Sequence, residues 1–395
     1  MTELRLFHAR IALIQAFLRQ QKHDGILLSR TDNFAMATGG KRNYVSTATD
    51  MGACSLFVTK GGKAYFVGNN IEATRVMAEE LSRLECESRH FFWFDGSPAA
   101  LIQKEFSGSL VSDDGSLGEN VHAKLAYLRA LLTFEELEKY RRLGKLAADA
   151  MTATLNAIEP GQTEADIGAR LAAEGAKRRC LTPVVLIAAD ERIMQHRHPL
   201  PVVSSLLPGG PAEYKAKGYV MVVGGFLREG LVVSMTRFKR VGEIPKGITG
   251  AHARISAVDA IFQEATEPGR TLGDVFSEGQ KAYADLGFDP DEWRRHHQGG
   301  ATGYAGRTCK AAPGEPFPIL DPQWREAVKG ILDMDTPFGH AFAWNPSAPG
   351  VKSEDTFIML PDGSKEIVTQ TPALPDVELS AILGRPTSVV KSGIA

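Results

Sequence analysis

The chain has 395 residues, room for two or three domains of ordinary size. With 43% hydrophobic and 23% charged residues it has a globular composition, which excludes a disordered or low-complexity chain. A net charge of −2, without a block of five like charges, offers no track for nucleic acid and no polybasic membrane anchor.

The opening segment sets Leu4, Phe7, Ile11, Ile14 and Leu18 on one helical stripe with Arg and Gln between them, unlike a signal-peptide core. No stretch approaches the ~18 uncharged apolar residues of a membrane span. Strands are expected at Ile26 to Ser29, Cys54 to Thr59 and Ala64 to Val67, the last two joined by the turn Lys60-Gly61-Gly62-Lys63. A polar, glycine-bearing stretch from Val111 to Asn120 closes this part, and the expected units are a first domain over 1–125, a second over 126–375 and a tail over 376–395. Pro372 and Pro375 suggest that the chain beyond Thr371 runs extended on the surface. Cys54, Cys86, Cys180 and Cys309 lie far apart, without metal-finger spacing, as expected of reduced thiols in a cytoplasmic protein.

Thr133 and Glu136 have capping-box spacing at the head of a long helix that reaches about Ala157. Beyond that helix the chain carries a duplication. Glu159-Pro160-Gly161-Gln162-Thr163 with Asp166 returns 108 positions later as Glu267-Pro268-Gly269-Arg270-Thr271 with Asp274. Each copy reads as a long helix, a Pro-Gly break, a Thr-capped helix, a histidine segment and a strand pair. Two such ααββ halves stack helices outside a curved sheet, with the histidines converging where the halves meet.

The segments IEPGQTEADIGARLAAEG, RHPLP, GLVVSMTRF, HHQGGATGY and KSEDTFIMLPDG, in this order, resemble the pita-bread superfamily of methionine aminopeptidase, proline dipeptidase, aminopeptidase P and creatinase. GILLSRTDNF and GACSLFVTKGGKAYFV resemble the creatinase and prolidase amino-terminal domain. The resemblance implies an α+β pita-bread fold with a smaller α/β domain before it. It also implies a homodimer with the active site near the subunit interface, where a first-domain loop such as Gly39 to Tyr44 reaches the neighbouring site.

The family's peptidases hold two divalent metals through two aspartates, a histidine and two glutamates. The resemblance puts Val223 and Ser234 at the aspartate positions and Asn345 at the first glutamate, leaving His297 and Glu354 as ligand types. One imidazole and one carboxylate are too few donors for two divalent ions. The expectation is therefore no metal and no cofactor, the alternative being a rearranged site for Mn, Zn or Co.

His198 matches the family histidine above the site and is expected to be the general acid/base, a role suited to imidazole. His196, two residues earlier, would share its face of a strand. His296 and His297 would face opposite ways on a strand, with His297 entering the site. His198, His297 and Glu354 are the expected catalytic residues; His196, Ser234, Asn345, Tyr304, Arg307 and Arg42 are expected to bind substrate. A buried Glu354 requires a cation, such as a protonated histidine, Arg237 or the substrate. Gly299, Gly300, Gly303 and Gly306 would let backbone approach a ligand. The function expected first is metal-independent, creatinase-like hydrolysis of a C–N bond in a small amino-acid-like molecule. The alternatives are an Xaa-Pro metallopeptidase with a rearranged site and a catalytically inactive binding module.

Overall fold

The computed structural model describes residues 3–201, 213–328 and 338–395. The first helix, α1 (Glu3–Gln21), buries Phe7, Ile11, Ile14 and Leu18 as its periodicity requires. It is succeeded by a mixed sheet, made of β1 (Gly25–Arg30), β2 (Met51–Thr59), β3 (Ala64–Asn69), β4 (Glu87–Phe91) and β5 (Leu110–Ser112) in spatial order β4-β3-β2-β1-β5. Between β1 and β2 the helix α2 (Thr31–Thr38) leads into the Gly39 to Tyr44 loop.

The second domain opens on α3 (Phe134–Asn156), whose capping box is complete: the Thr133 side chain accepts from the Glu136 N–H, and Glu136 accepts from the Thr133 N–H at 2.8 Å. Leu137, Tyr140, Leu143, Ala147, Met151 and Leu155, three or four residues apart, bury one face of α3. Each large apolar side chain buried in this way contributes about 1.5–3 kcal/mol. The duplication is visible in the caps. Thr163 caps α4 (Glu164–Lys177) and Thr271 caps the equivalent later helix, each accepting from the N–H of the aspartate three residues on.

In the first half, β6 (Leu181–Ala189), β7 (Tyr219–Arg228) and β8 (Leu231–Arg240) form an antiparallel sheet. The second half repeats the helix pair as α5 (Ile248–Ala265) and α6 (Leu272–Asp285), followed by β9 (Gly299–Thr302), β10 (Gly339–Trp344) and β11 (Asp355–Met359) in adjacent antiparallel positions. The halves join along β8 and β11: the Ser234 N–H donates to Thr356 Oγ1 at 2.8 Å, and the Thr236 N–H to the Glu354 carbonyl at 3.1 Å. No helix among the described residues is long and apolar enough to cross a membrane.

Part of the tail departs from the expected extended chain on the surface. Leu379–Leu383 is a short helix packed on α5, and Lys391 is buried with Nζ 2.6 Å from Asp259 Oδ2. An ammonium among carboxylates outweighs the preference of the flanking prolines for solvent-exposed chain.

The domains are tied by Arg10 of α1. Its Nε donates to Glu136 Oε1 at 2.7 Å, a second nitrogen also reaches that carboxylate, and the remaining donors reach the carbonyls of Leu128 and Leu131 at 3.0 and 2.8 Å. Both side chains are buried. Arg10→Met leaves Glu136 as an uncompensated buried charge, so a loss of about 3–5 kcal/mol is expected in urea unfolding. Arg10→Lys should restore only part of it, since an ammonium lacks the planar fork. An unfolding midpoint unchanged by Arg10→Met would show that this pair does not tie the domains.

Candidate active site

A cavity of about 720 Å³ opens where the two halves and the first domain meet. Val223 and Ser234 come from β7 and β8, where Gly225 pairs with Ser234 and Val223 with Thr236. Asn345 follows β10, Glu354 precedes β11, and His297 precedes β9; all five line the cavity. The positions that the resemblance assigns to the family's metal set thus converge, but with one imidazole and one carboxylate among them.

That carboxylate is already occupied. Arg307 donates to Glu354 Oε1 at 2.8 Å, Thr236 to Oε2 at 2.8 Å, and Lys352 Nζ stands 3.4 Å from Oε2. Burial alone would raise the Glu354 pKa, but Lys352, Arg307 and the hydrogen bonds outweigh it and hold the group at about 2. Burial lowers Lys352, and Glu354 opposes that shift. Chain alternation explains the arrangement: Lys352 and Glu354 face the cavity, while Ser353 and Asp355 face the network behind it. Arg237, considered from the sequence as a partner for Glu354, instead pairs with Asp355 at 2.6 Å. The partners of Glu354 are Arg307 and Lys352. The residues present therefore do not fit the family's two-metal set: three of its carboxylates are missing and the fourth is paired with cations.

The histidines are arranged differently from the expected strands. His196 and His198 follow the short helix Glu191–Gln195 in irregular chain; His196 is exposed and does not line the cavity, whereas His198 does. His296 and His297 follow the single turn Glu292–Arg295, and their rings stack at 4.4 Å instead of facing opposite ways. His296 Nε2 lies 3.0 Å from His198 Nε2. The ligating atoms of His198, His296 and His297 all lie within 4.8 Å of one another. Nothing in the sequence pattern singles out His296, because its placement depends on a turn that breaks strand alternation. Burial, then the charges of Arg307, Lys310 and Lys352, lowers His297 to about 4; burial and Lys352 lower His198.

The expected substrate-binding residues fare unevenly. Ser234, Asn345, Arg307 and Arg42 line the cavity. Asn345 Oδ1 is buried without a partner, a free acceptor, and Ser234 Oγ lies 3.5 Å from Arg307. Arg42 stands at the mouth, bound to Glu80 at 2.7 Å. Tyr304 offers the cavity only its ring, because its buried hydroxyl donates to Glu136. Lys41, Arg42 and Tyr44 line the cavity of their own chain. The glycines serve packing more than ligand approach: a Cβ on Gly299 would stand 2.1 Å from the Ala343 carbonyl oxygen, and one on Gly303 2.0 Å from that of Arg129. Lys310 and Lys352, both lining the cavity, were not foreseen.

Residues 138–317 match Metallopeptidase family M24. The family is one of metal enzymes, and this corrects the expectation of no cofactor, even though the familiar ligand set is absent here. A comparison with curated proteins finds no match. Among solved structures, a recombinant prolidase from Thermococcus sibiricus is similar at 16% identity and TM-score 0.68, over 94% of this chain and 97% of that one. An Xaa-Pro dipeptidase from Bacillus anthracis aligns at 15% identity and TM-score 0.63, over 93% and 98%. The N-terminal domain of the FACT complex subunit SPT16 from chickpea (Cicer arietinum) aligns at 12% and 0.59, over 96% and 99%.

The buried titratable groups set an acid limit on the fold. Burial lowers His252 and His297 to about 4 and His340 to about 3, from an ordinary 6.5. In the unfolded chain these rings protonate first, so their contribution is full above pH 6.5 and lost as the pH falls toward 4 and 3. Glu354, at about 2 against 4.5, adds a second loss below pH 4.5. Both ring nitrogens of His340 lack partners, so His340→Phe should flatten the decline in urea midpoint below pH 6.5. An unchanged slope would mean that the folded state protonates His340 freely.

The match over 138–317 and the shared fold together support an M24 domain of the pita-bread superfamily in this chain, with a smaller α/β domain before it.

Proposed function

We propose that this chain hydrolyses an amide-type C–N bond in a small, carboxylate-bearing peptide or peptide-like molecule, in the manner of an Xaa-Pro peptidase. The observation that carries the reading is the charge of the cavity wall. Glu354 is shared by Arg307 and Lys352, and Lys310 stands exposed on the same wall without an acidic partner among the described ion pairs. Glu354 balances one of these three cations, and the cavity's other carboxylates, Asp32, Asp50 and Glu229, are paired with Arg129, Arg30 and Lys139, so this wall retains positive charge where a substrate carboxylate can be taken up by Arg307 or Lys310. Asn345 Oδ1, buried without a partner, is suited to accept from a substrate N–H or amine.

His198 and His297 are assigned to activation of the attacking water. Its oxygen bonds to the amide carbon, the C–N bond breaks, and the water's proton ends on the leaving nitrogen. Glu354 acts by fixing Arg307 and Lys352. The structures titled prolidase and Xaa-Pro dipeptidase support a peptide substrate over the small amino-acid-like molecule, with its creatinase-like C–N bond, expected first. We further infer a cytoplasmic homodimer with the cavity near its interface. Support comes from Val184, 41% exposed at the cavity mouth, from Leu181, 45% exposed beside it, and from four free cysteines.

A second reading, a binding module without catalysis, is favoured by the missing carboxylates and by the likeness to the SPT16 domain. One experiment decides: a panel of Xaa-Pro dipeptides and small amides assayed with and without added Mn, Zn and Co. Cleavage is expected, with Arg307→Ala raising KM about 10- to 100-fold, the equivalent of one charged hydrogen bond of about 1.5–3 kcal/mol. Absence of turnover across the panel would transfer the reading to the binding module.

A further inference from the structure

Three imidazoles meet at the edge of the cavity, and they come from distant parts of the chain. His198 lies 98 residues before His296, in the other half of the duplication. Among the described residues, they are the only group of three or more histidine, cysteine or carboxylate side chains whose donor atoms approach within 4.8 Å of one another.

Their geometry suits an ion. A zinc-type ion bound at about 2.0–2.1 Å holds adjacent nitrogens about 3.0–3.4 Å apart, depending on the angle between them. His198 Nε2 and His296 Nε2, at 3.0 Å, already stand at this spacing. His297 stacks on His296 with ring centroids 4.4 Å apart, and its donor atom lies within 4.8 Å of those of the other two rings. His296 is 8% exposed, and the Nδ1 atoms of His296 and His297 are buried without hydrogen-bond partners.

We propose that His198, His296 and His297 together bind one divalent ion of the zinc, cobalt or nickel class, at a centre that shares only His297 with the family's two-metal set. The donor chemistry selects the ion: three neutral nitrogens suit borderline metals, whereas manganese and magnesium prefer oxygen-rich sites. His198 is exposed and lines the cavity, so the fourth coordination position is open toward it. The nearby cations Lys352, Arg307 and Lys310 weaken the attraction for a bare ion and favour one whose fourth ligand is an anion. The centre goes beyond the hydrolase reading and does not depend on it: a ring nitrogen of His198 or His297 that holds the ion no longer acts as a base for water, so the two roles belong to the loaded and the metal-free chain, and occupancy is measured without substrate.

The test uses the full chain, dialysed against chelator and titrated with zinc and with cobalt(II) by calorimetry, with the cobalt visible spectrum and X-ray absorption of the zinc-loaded protein. One ion per chain is expected, with a nitrogen-dominated ligand shell and a cobalt band of low-coordinate type. His296→Ala is the decisive variant, because His296 lies outside the family's ligand positions. Its loss should weaken binding by more than the about 10- to 100-fold seen when a supporting residue of a metal site is removed. The absorption spectra of the unmutated chain serve if that variant does not fold. Absence of binding, two ions in an oxygen-dominated shell, or unchanged affinity in folded His296→Ala would overturn the proposal. Metal binding without peptide cleavage leaves this centre standing while the hydrolase reading fails; cleavage by a chain that binds no ion does the reverse.

Discussion

A charge buried between domains constrains the rest of the molecule. Glu136 is fully buried, and Arg10 and several N–H and O–H donors surround its carboxyl group. Each donor anchors something different. Arg10 anchors the first helix, Thr133 the start of α3, and the Tyr304 hydroxyl the loop after β9. The Tyr304 ring is part of the cavity wall, and the Arg10 guanidinium stands 4.9 Å from its centroid. The first domain, the long helix and the floor of the site therefore cannot shift independently without exposing Glu136 to an unmatched donor set.

The same logic governs the cavity on a smaller scale. A carboxylate among apolar strands requires a counter-charge, and in metallopeptidases of this superfamily the resemblance makes that charge a pair of ions. Here Lys352 and Arg307 supply it through the protein itself. Substitution of Val, Ser and Asn for the other carboxylates is consistent with this: had aspartates remained at 223 and 234, two cationic side chains would not suffice to neutralise them. Around Glu354 the neighbouring charges are therefore side chains of the protein, Arg307 and Lys352.

Much of this was legible in the sequence, for identifiable reasons. Capping boxes are local, so Thr133 with Glu136 and Thr271 with Asp274 specified helix starts without any tertiary information. The 108-residue offset fixed the order of helices and hairpins, and with it the convergence of Ser234, His297, Asn345 and Glu354. Pairing across long separations was not legible. Arg307 meets Glu354 from 47 residues away and Arg10 meets Glu136 from 126, and nothing in either local pattern names its partner. His296 was missed for a different reason, because strand alternation was assumed where a single turn, Glu292–Arg295, resets the direction of the side chains.

The strand edge from Lys352 to Asp355 shows how the cavity is kept rigid. Alternation sends Lys352 and Glu354 forward and Ser353 and Asp355 back, where Asp355 meets Arg237 at 2.6 Å and Lys391 at 3.3 Å, and Ser353 donates to Asp259 at 2.6 Å. Burial would raise Asp355, but Arg237 and Lys391 hold it below the usual carboxylate range. Lys391 belongs to the tail, so the last residues of the described chain lock the back of the strand whose front carries Glu354. A side chain that must hold two cations in a fixed direction needs a backbone that cannot twist, and the charge network behind the strand provides that stiffness. The tail is thereby part of the site's support, although none of its residues reaches the cavity.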